Sequence, residues 1–308
     1  MSVAPAASPM PERSSRTLAG VLLIVGAVLC FSCMDASAKW LGRVLNPWQT
    51  IAVRYVFSFA LTGLFFNPLT RPGLMRTQHL GLQCGRALCV VVATASGWTA
   101  LRFIELTQLT AITFAAPLLV ALMAAPLLGE KIGPRRVVAV AVGFCGVLIV
   151  TRPFSGAIHP AGLLALVAAV ANAIYSILTR RLAAFDAPET TMFYTGLVGS
   201  VVMLPVAPFV WETPTSALTW GVLAVLGSFG ALAHWLLILA HRHAPASLLA
   251  PFYYAQILGA VVLGIAVFGE VPDRWTITGA LIVTGSGLYL VYRERVRRKP
   301  VPSSDLQA

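Results

Sequence analysis

The chain has 308 residues, 58% of them hydrophobic and 11% charged, with a mean hydropathy of +0.82 and a formal net charge of +11. That is too little polar residue to cover a soluble globule of this length, so the chain belongs in a membrane. In that setting the placement of Lys and Arg matters more than their sum, and no nucleic-acid partner is implied.

A hydrocarbon core is about 30 Å thick, so a helix rising about 1.5 Å per residue needs about 20 apolar residues to cross it. Residues 1–16, rich in Pro, Ser and Ala, read as a disordered cytoplasmic N-terminus. The first apolar run, 17–38, is too long for a signal-peptide core and lacks a convincing cleavage site. Further runs follow at 47–67, 80–100, 104–128, 134–151, 160–179, 190–210, 218–240, 246–268 and 275–292. Pro- and Gly-rich punctuation separates several of them, as at Asn46-Pro47, Gly133-Pro134, Arg152-Pro153 and Pro272-Asp273. Residues 294–308 form a basic tail. Ten spans leave only short loops, with no room for a soluble domain.

Five cysteines, Cys30, Cys33, Cys84, Cys89 and Cys145, fall inside apolar runs. Cys30 and Cys33 have redox-motif spacing, but thiols within a hydrophobic helix usually serve as small packing residues, so no metal or other cofactor is expected. His241-Arg242-His243 supplies two ligands on a short basic loop, an incomplete metal site that reads better as a cytoplasmic anchor.

Fifteen Lys and Arg fall on the side that carries both termini and five, Lys39, Arg43, Arg102, Arg152 and Arg274, on the other. By the positive-inside rule both termini are cytoplasmic, which requires an even number of spans. Trp40, Trp48, Trp98, Trp211, Trp220 and Trp275 fall at outer span ends and suggest an aromatic belt, with Trp235 alone lying deeper. Internal repetition is also visible. Residues 246–270 echo 106–130, pairing Ala115 with Ala255, Leu118 with Leu258, Gly129 with Gly269 and Glu130 with Glu270. The run 146–152 is likewise echoed by 287–293. A five-span unit is odd, so its second copy enters the membrane upside down, as in many secondary transporters where one repeat rocks against the other.

Several stretches carry a family resemblance. Gly129-Glu130 and Gly269-Glu270 close the fourth and ninth runs, and Asp35-Ala-Ser-Ala-Lys39-Trp40 closes the first. Pro47-Trp48-Gln49 with Arg54-Tyr55, the run from Phe114 through Pro117, and the run from Ala244 through Ser247 to Pro251-Phe252 complete the pattern. Over residues 17–293 the chain resembles the EamA type of the drug/metabolite transporter superfamily. The resemblance implies an all-α integral membrane fold of ten transmembrane helices, two inverted five-helix EamA repeats (17–152 and 153–293) around a central cavity. It implies a small-metabolite cargo and no ATP-binding domain. Similar members move amino acids, nucleotide-like cofactors such as S-adenosylmethionine, or riboflavin.

An ionisable group at mid-membrane costs roughly 2.5–3.5 kcal/mol on insertion scales, so each needs a partner, water or a purpose. Asp35 and Lys39 share a face of the first helix, Asp35 about 7 Å from the outer end and Arg54, on the second, about 10 Å. They can meet as a structural ion pair, the favoured reading, or Arg54 and Lys39 can face an anionic group of a solute while Asp35 takes an amine or a proton. Arg86 either snorkels to the cytoplasmic headgroups or serves the cavity. Glu105 reads as interfacial, paired with Arg102. His234 titrates near neutral pH and can couple transport to protons, or it simply bonds a neighbouring helix. Tyr253, Tyr254 and Gln256 lie at a comparable depth and suit a flat or zwitterionic solute, although tyrosines also pack helices. Phe114 aligns with Tyr254 in the first repeat, and Asn172, Tyr175 and Ser176 lie on the sixth span. At the repeat offset Asp35 becomes Ser176 and Arg54 becomes Thr195, so the second repeat lacks those charges. Glu130 and Glu270 read as caps or salt bridges, with a gate as the sharper alternative.

The sequence therefore points to a secondary transporter of a small polar metabolite in an inner or plasma membrane. Its expected partners are the solute, protons and membrane lipids, in a monomer or weak homodimer. The competing class is an integral membrane enzyme acting on a lipid or isoprenoid. Such an enzyme gathers acid, base and nucleophile at one interface, whereas here the polar groups are scattered over several depths.

Overall fold

The computed structural model describes residues 11–65, 72–128, 134–152, 160–244 and 246–297. Glu130 and the adjoining Gly129 lie outside the described residues. Helices run α1 Pro11–Leu41, α2 Pro47–Phe65, α3 Leu80–Ala100, α4 Leu106–Thr113, α5 Ala116–Leu128 and α6 Pro134–Thr151 in the first half. The second half has α7 Pro160–Leu182, α8 Pro188–Met203, α9 Ala207–Val210, α10 Ala217–His243, α11 Ala246–Leu249, α12 Ala255–Phe268 and α13 Arg274–Arg297. The first helix begins at Pro11, so the expected disorder up to residue 16 does not hold for residues 11–16. Among the described residues seven helical segments are long and apolar enough to cross a membrane; α2, α6 and α8 fall outside that group. The chain is an all-helical, multi-pass membrane protein.

Two of the expected spans are broken. α4 stops at Thr113, and the chain turns through Phe114 and Ala115 before α5 starts. Pro117, in the first turn of α5, has no N–H to donate, and its ring would crowd the carbonyl of Thr113 in a continuous helix. In the second half Pro251 sits in a 3-10 segment, Ala250–Tyr254, between α11 and α12. Phe114 and Tyr254 occupy the two breaks, their ring centroids 4.8 Å apart. Tyr254 then runs into a notch on α13, where a Cβ on Gly287 would stand 1.6 Å from its hydroxyl. Its hydroxyl is buried without a hydrogen-bond partner among the described residues. Phe114 and Tyr254 thus join the two breaks, Tyr254 buried and Phe114 half-buried.

The most extensive packing pairs are α1 with α10, α3 with α7, α6 with α13, α2 with α8 and α1 with α12. Every one of them joins the first half of the chain to the second. Exchange of the halves turns the α1–α10 pair into α7–α3 and maps α2–α8 and α6–α13 onto themselves, so the packing has the two-fold pattern of paired repeats. Small residues permit the closest crossings: a Cβ on Gly279 would lie 2.6 Å from the Gly146 carbonyl oxygen, and one on Gly199 2.1 Å from the Tyr55 ring. The halves are interlocked. Rocking one repeat against the other would tear apart the largest interfaces, so that expectation fails on packing grounds.

Candidate functional site

Faces of the long helices identify the interior. On α7 the exposed stripe Leu163, Val167 and Val170 looks outward. At about 100° per residue, Asn172, Tyr175, Ser176 and Thr179 lie on the opposite side. Yet Ser176 is exposed, and Asn172 and Tyr175 are half-buried. On α10, His234 likewise stands opposite the exposed Leu218, Val225 and Leu232 while keeping accessible surface. Asp35 on α1, opposite Leu22 and Leu29, does the same. Accessible polar groups on inward faces line an internal space.

One pole of that space is built on Asp35. Its Oδ1 accepts from Trp98 Nε1 at 3.1 Å and its Oδ2 from Gln256 Nε2 at 3.4 Å. The Gln256 carbonyl in turn accepts from Ser32 Oγ at 3.1 Å, tying α12 to α1. Arg54 does not form the expected ion pair with Asp35. Its Nη1 donates to Thr94 Oγ1 at 2.7 Å, and its guanidinium lies over the rings of Tyr55 and Trp98 at 4.9 and 5.2 Å. Trp98 therefore connects the two charges, holding Asp35 by its N–H and Arg54 by its face. Trp98 is 6% exposed and does not belong to an outer aromatic belt. Sequence reading missed this role. The available signal was helical spacing, because Thr94 and Trp98 share a face of α3.

The second pole is built on Arg86, which does not snorkel: it is 5% exposed. Its Nε donates to Thr179 Oγ1 at 2.7 Å, Nη1 to Thr195 Oγ1 at 2.7 Å and to the Thr191 carbonyl at 3.2 Å, and Nη2 to the Tyr175 hydroxyl at 2.9 Å. Asp186 accepts from Gln83, one turn away along α3, and from Thr77 ahead of that helix, and not from Arg86. Thr195 is the repeat counterpart of Arg54, so the charge missing from α8 is supplied by Arg86 reaching across from α3. His234 lies within electrostatic reach of both Arg54 and Arg86, and Tyr253 within reach of Tyr175. His234 meets Phe31 edge-on at 5.1 Å and makes no hydrogen bond to the described residues.

Lys39 serves a different place. It is 6% exposed and its Nζ reaches Glu270 Oε1 at 2.6 Å and donates to the Ile104 carbonyl at 2.7 Å. Glu270 also accepts from the Leu106 N–H at 3.2 Å. Gly269 makes this geometry accessible: its φ of 68° ends α12 in the left-handed region, and the Glu270 N–H turns back to the Gly264 carbonyl at 2.9 Å. A carboxylate at the start of α4 suits the positive end of that helix. Lys39 and Glu270 form a clamp between α1, α12 and the turn before α4: Glu270 makes a salt bridge and meets a helix-terminal N–H, and Lys39 is engaged there and not as a central solute contact.

Outside the clamp lies a cleft of about 430 Å³ lined by Lys39, Arg43, Arg102, Glu105 and Glu270 among others. Among the described residues Glu105 caps no backbone group, makes no ion pair with Arg102, and buries Oε2 without a hydrogen-bond partner. It precedes the apolar span Leu106–Met123. Burial first, and the Glu270 carboxylate second, push the Glu105 carboxyl above its ordinary value, against Lys39 and Arg152, which pull it down. A carboxyl raised in the folded state gives up a proton less readily there than in the unfolded chain. It withholds nothing below the unfolded value and costs stability as pH rises through the folded one. Glu105→Gln, neutral throughout, should melt higher than wild type at pH 8 in detergent and lose that advantage as pH falls below 4.5, the ordinary value.

With the geometry in hand, the likeness to known proteins is direct. The profile described as the EamA-like transporter family matches residues 18–152 and 159–293. The chain belongs to the EamA-like transporter family. An S-adenosylmethionine uptake transporter of Rickettsia prowazekii is 27% identical, over 90% of this chain and 94% of its own. A riboflavin transporter of Brucella anthropi is 30% identical, over 88% of this chain and 98% of its own. One crystal structure shares the fold with a TM-score of 0.62 at 20% identity, covering 93% of this chain and 100% of that one. Two EamA relatives of equal likeness thus bear different cargo names, so the shared scaffold leaves the cargo to the residues that line the space.

Proposed function

We propose that this EamA-type chain is a secondary transporter of a small polar metabolite, crossing the inner or plasma membrane ten times with both termini in the cytoplasm. The cargo rests between the Asp35 pole and the Arg86–Tyr175 pole, beside His234 and Tyr253. The observation that carries the reading is the pair of polar poles deep inside an apolar helical bundle, on faces turned away from lipid yet accessible. Charged groups are retained at such a depth at a cost of several kcal/mol, which is justified by a solute pathway.

Interlocked packing selects the moving parts. α1 packs against α10 and α12, and α7 against α3 and α5, each set drawn from both repeats, with α4 between them against α12 and α7. Lys39 and Glu270, on the first set, grip backbone groups at the entry to α4. That grip closes the end of the space away from the termini, and the exposed Ser176 lies toward the opposite end. Alternating access then consists of releasing one end as the other closes.

Uptake and efflux of labelled S-adenosylmethionine, riboflavin and a set of amino acids in proteoliposomes, with and without a pH gradient, tests the proposal. At least one solute should move, and failure of every one in both directions would end the transport reading. His234→Ala in the same vesicles decides proton coupling. Full retention of gradient-driven flux removes His234 from it.

A further inference from the structure

The Arg86 pole says more about the cargo than its size. A tyrosine hydroxyl has one proton to give. At Tyr175 the oxygen accepts from Arg86 Nη2 at 2.9 Å, and the ring lies 4.5 Å beneath the same guanidinium. The hydroxyl proton must therefore point away from Arg86, and no acceptor for it exists among the described residues. One turn earlier on the same face, the Asn172 amide is half-buried and makes no side-chain hydrogen bond among the described residues. The Ser176 hydroxyl donates back to the Asn172 carbonyl at 2.8 Å and offers no competing charge. This part of the accessible face thus presents two donors three residues apart, backed by a buried cation. No carboxylate lies within salt-bridge distance of Arg86 among the described residues.

Uncompensated charge of this kind is costly, and hydrogen bonds to a charged group are stronger than neutral ones. An oxyanion on the ligand would satisfy both free donors and balance the guanidinium. We propose that the transported solute carries a carboxylate or phosphate group that is received by Tyr175 and Asn172, with Arg86 as the positioning residue that polarises the Tyr175 hydroxyl. The amine or other cationic end of a zwitterion then falls to Asp35 at the opposite pole. This inference rests on the transport reading and deepens it.

Matched solutes differing in one oxyanion test it. Suitable pairs are S-adenosylmethionine with its decarboxylated form, methionine with methioninamide, and riboflavin 5′-phosphate with riboflavin, measured by uptake and by thermal shift. Phosphatidylcholine vesicles keep anionic headgroups out. The acid member of the transported pair should have a half-saturation concentration at least about tenfold lower, as a charged hydrogen bond implies. Tyr175→Phe, which keeps the ring and deletes only the donor, should bring the two members within about twofold of each other. Arg86→Gln should shift the acid-to-neutral ratio the same way, a readout that loss of packing alone leaves unmoved. Equal handling of both members by the wild type overturns the proposal, as does a Tyr175→Phe protein that keeps the full preference. Movement or binding of no solute at all removes the transport reading on which it stands.

Discussion

Asp35→Asn should lower solute flux by about 10–100-fold, the range expected when a charge-assisted hydrogen bond worth about 1.5–3 kcal/mol is lost. Asparagine keeps the shape of the side chain but removes the charge, and its Nδ2 turns a donor toward Trp98 Nε1 or Gln256 Nε2, both of which already donate to Asp35. Arg54, 7% exposed and with Nε already buried and unpartnered, is then left without the nearby carboxylate. A second substitution separates the two roles Asp35 can have. Arg54→Gln in the Asp35→Asn background removes the stranded charge, so thermal stability should recover much of its loss. Were Asp35 only a brace between α1, α3 and α12, flux would recover with it. The expected result is recovered melting with flux still depressed, because the group that meets the cationic end of the cargo is gone. Joint recovery of flux and melting would assign Asp35 to structure alone.

The architecture was legible because it rests on terms that sequence displays directly. Apolar run length follows from the bilayer acting as solvent, and the echo between 106–130 and 246–270 marks the two repeats. Side-chain partnership was less legible, for a physical reason: it depends on which helices cross, and the crossings here are between repeats. For Arg86 the sequence left snorkelling and a cavity role both open, and the four oxygens from α7 and α8 that hold it could not be counted from the sequence. Asp35 and Arg54 were correctly placed near one another in depth. The indole between them, read as a belt residue from its position near a span end, was not. Glu270 was legible as a cap or salt bridge, but its partner was not: the left-handed Gly269 turns it back toward α1 and α4, where it meets Lys39. Depth can be counted from sequence. Rotation and crossing cannot.

The second large effect concerns stability, at the Lys39–Glu270 clamp. Lys39 is 6% exposed and Glu270 21%, so each charge is largely dependent on the other. Removing one partner of a buried pair strands the second at a cost of about 3–5 kcal/mol, and the partial exposure of Glu270 places this pair near or just below the lower end. Lys39→Met and Glu270→Leu should therefore each destabilise by about 2–4 kcal/mol in equilibrium unfolding over a detergent–SDS series. The double variant should cost less than the sum, since neither charge remains to be stranded. It should not be free. The Ile104 carbonyl and the Leu106 N–H lose the side chains that bond them, a cost of about 1 kcal/mol each where water cannot substitute. A coupling of about 2 kcal/mol or more between the sites is thus expected. Simple additivity would mean that water already solvates both charges and that the clamp holds nothing shut.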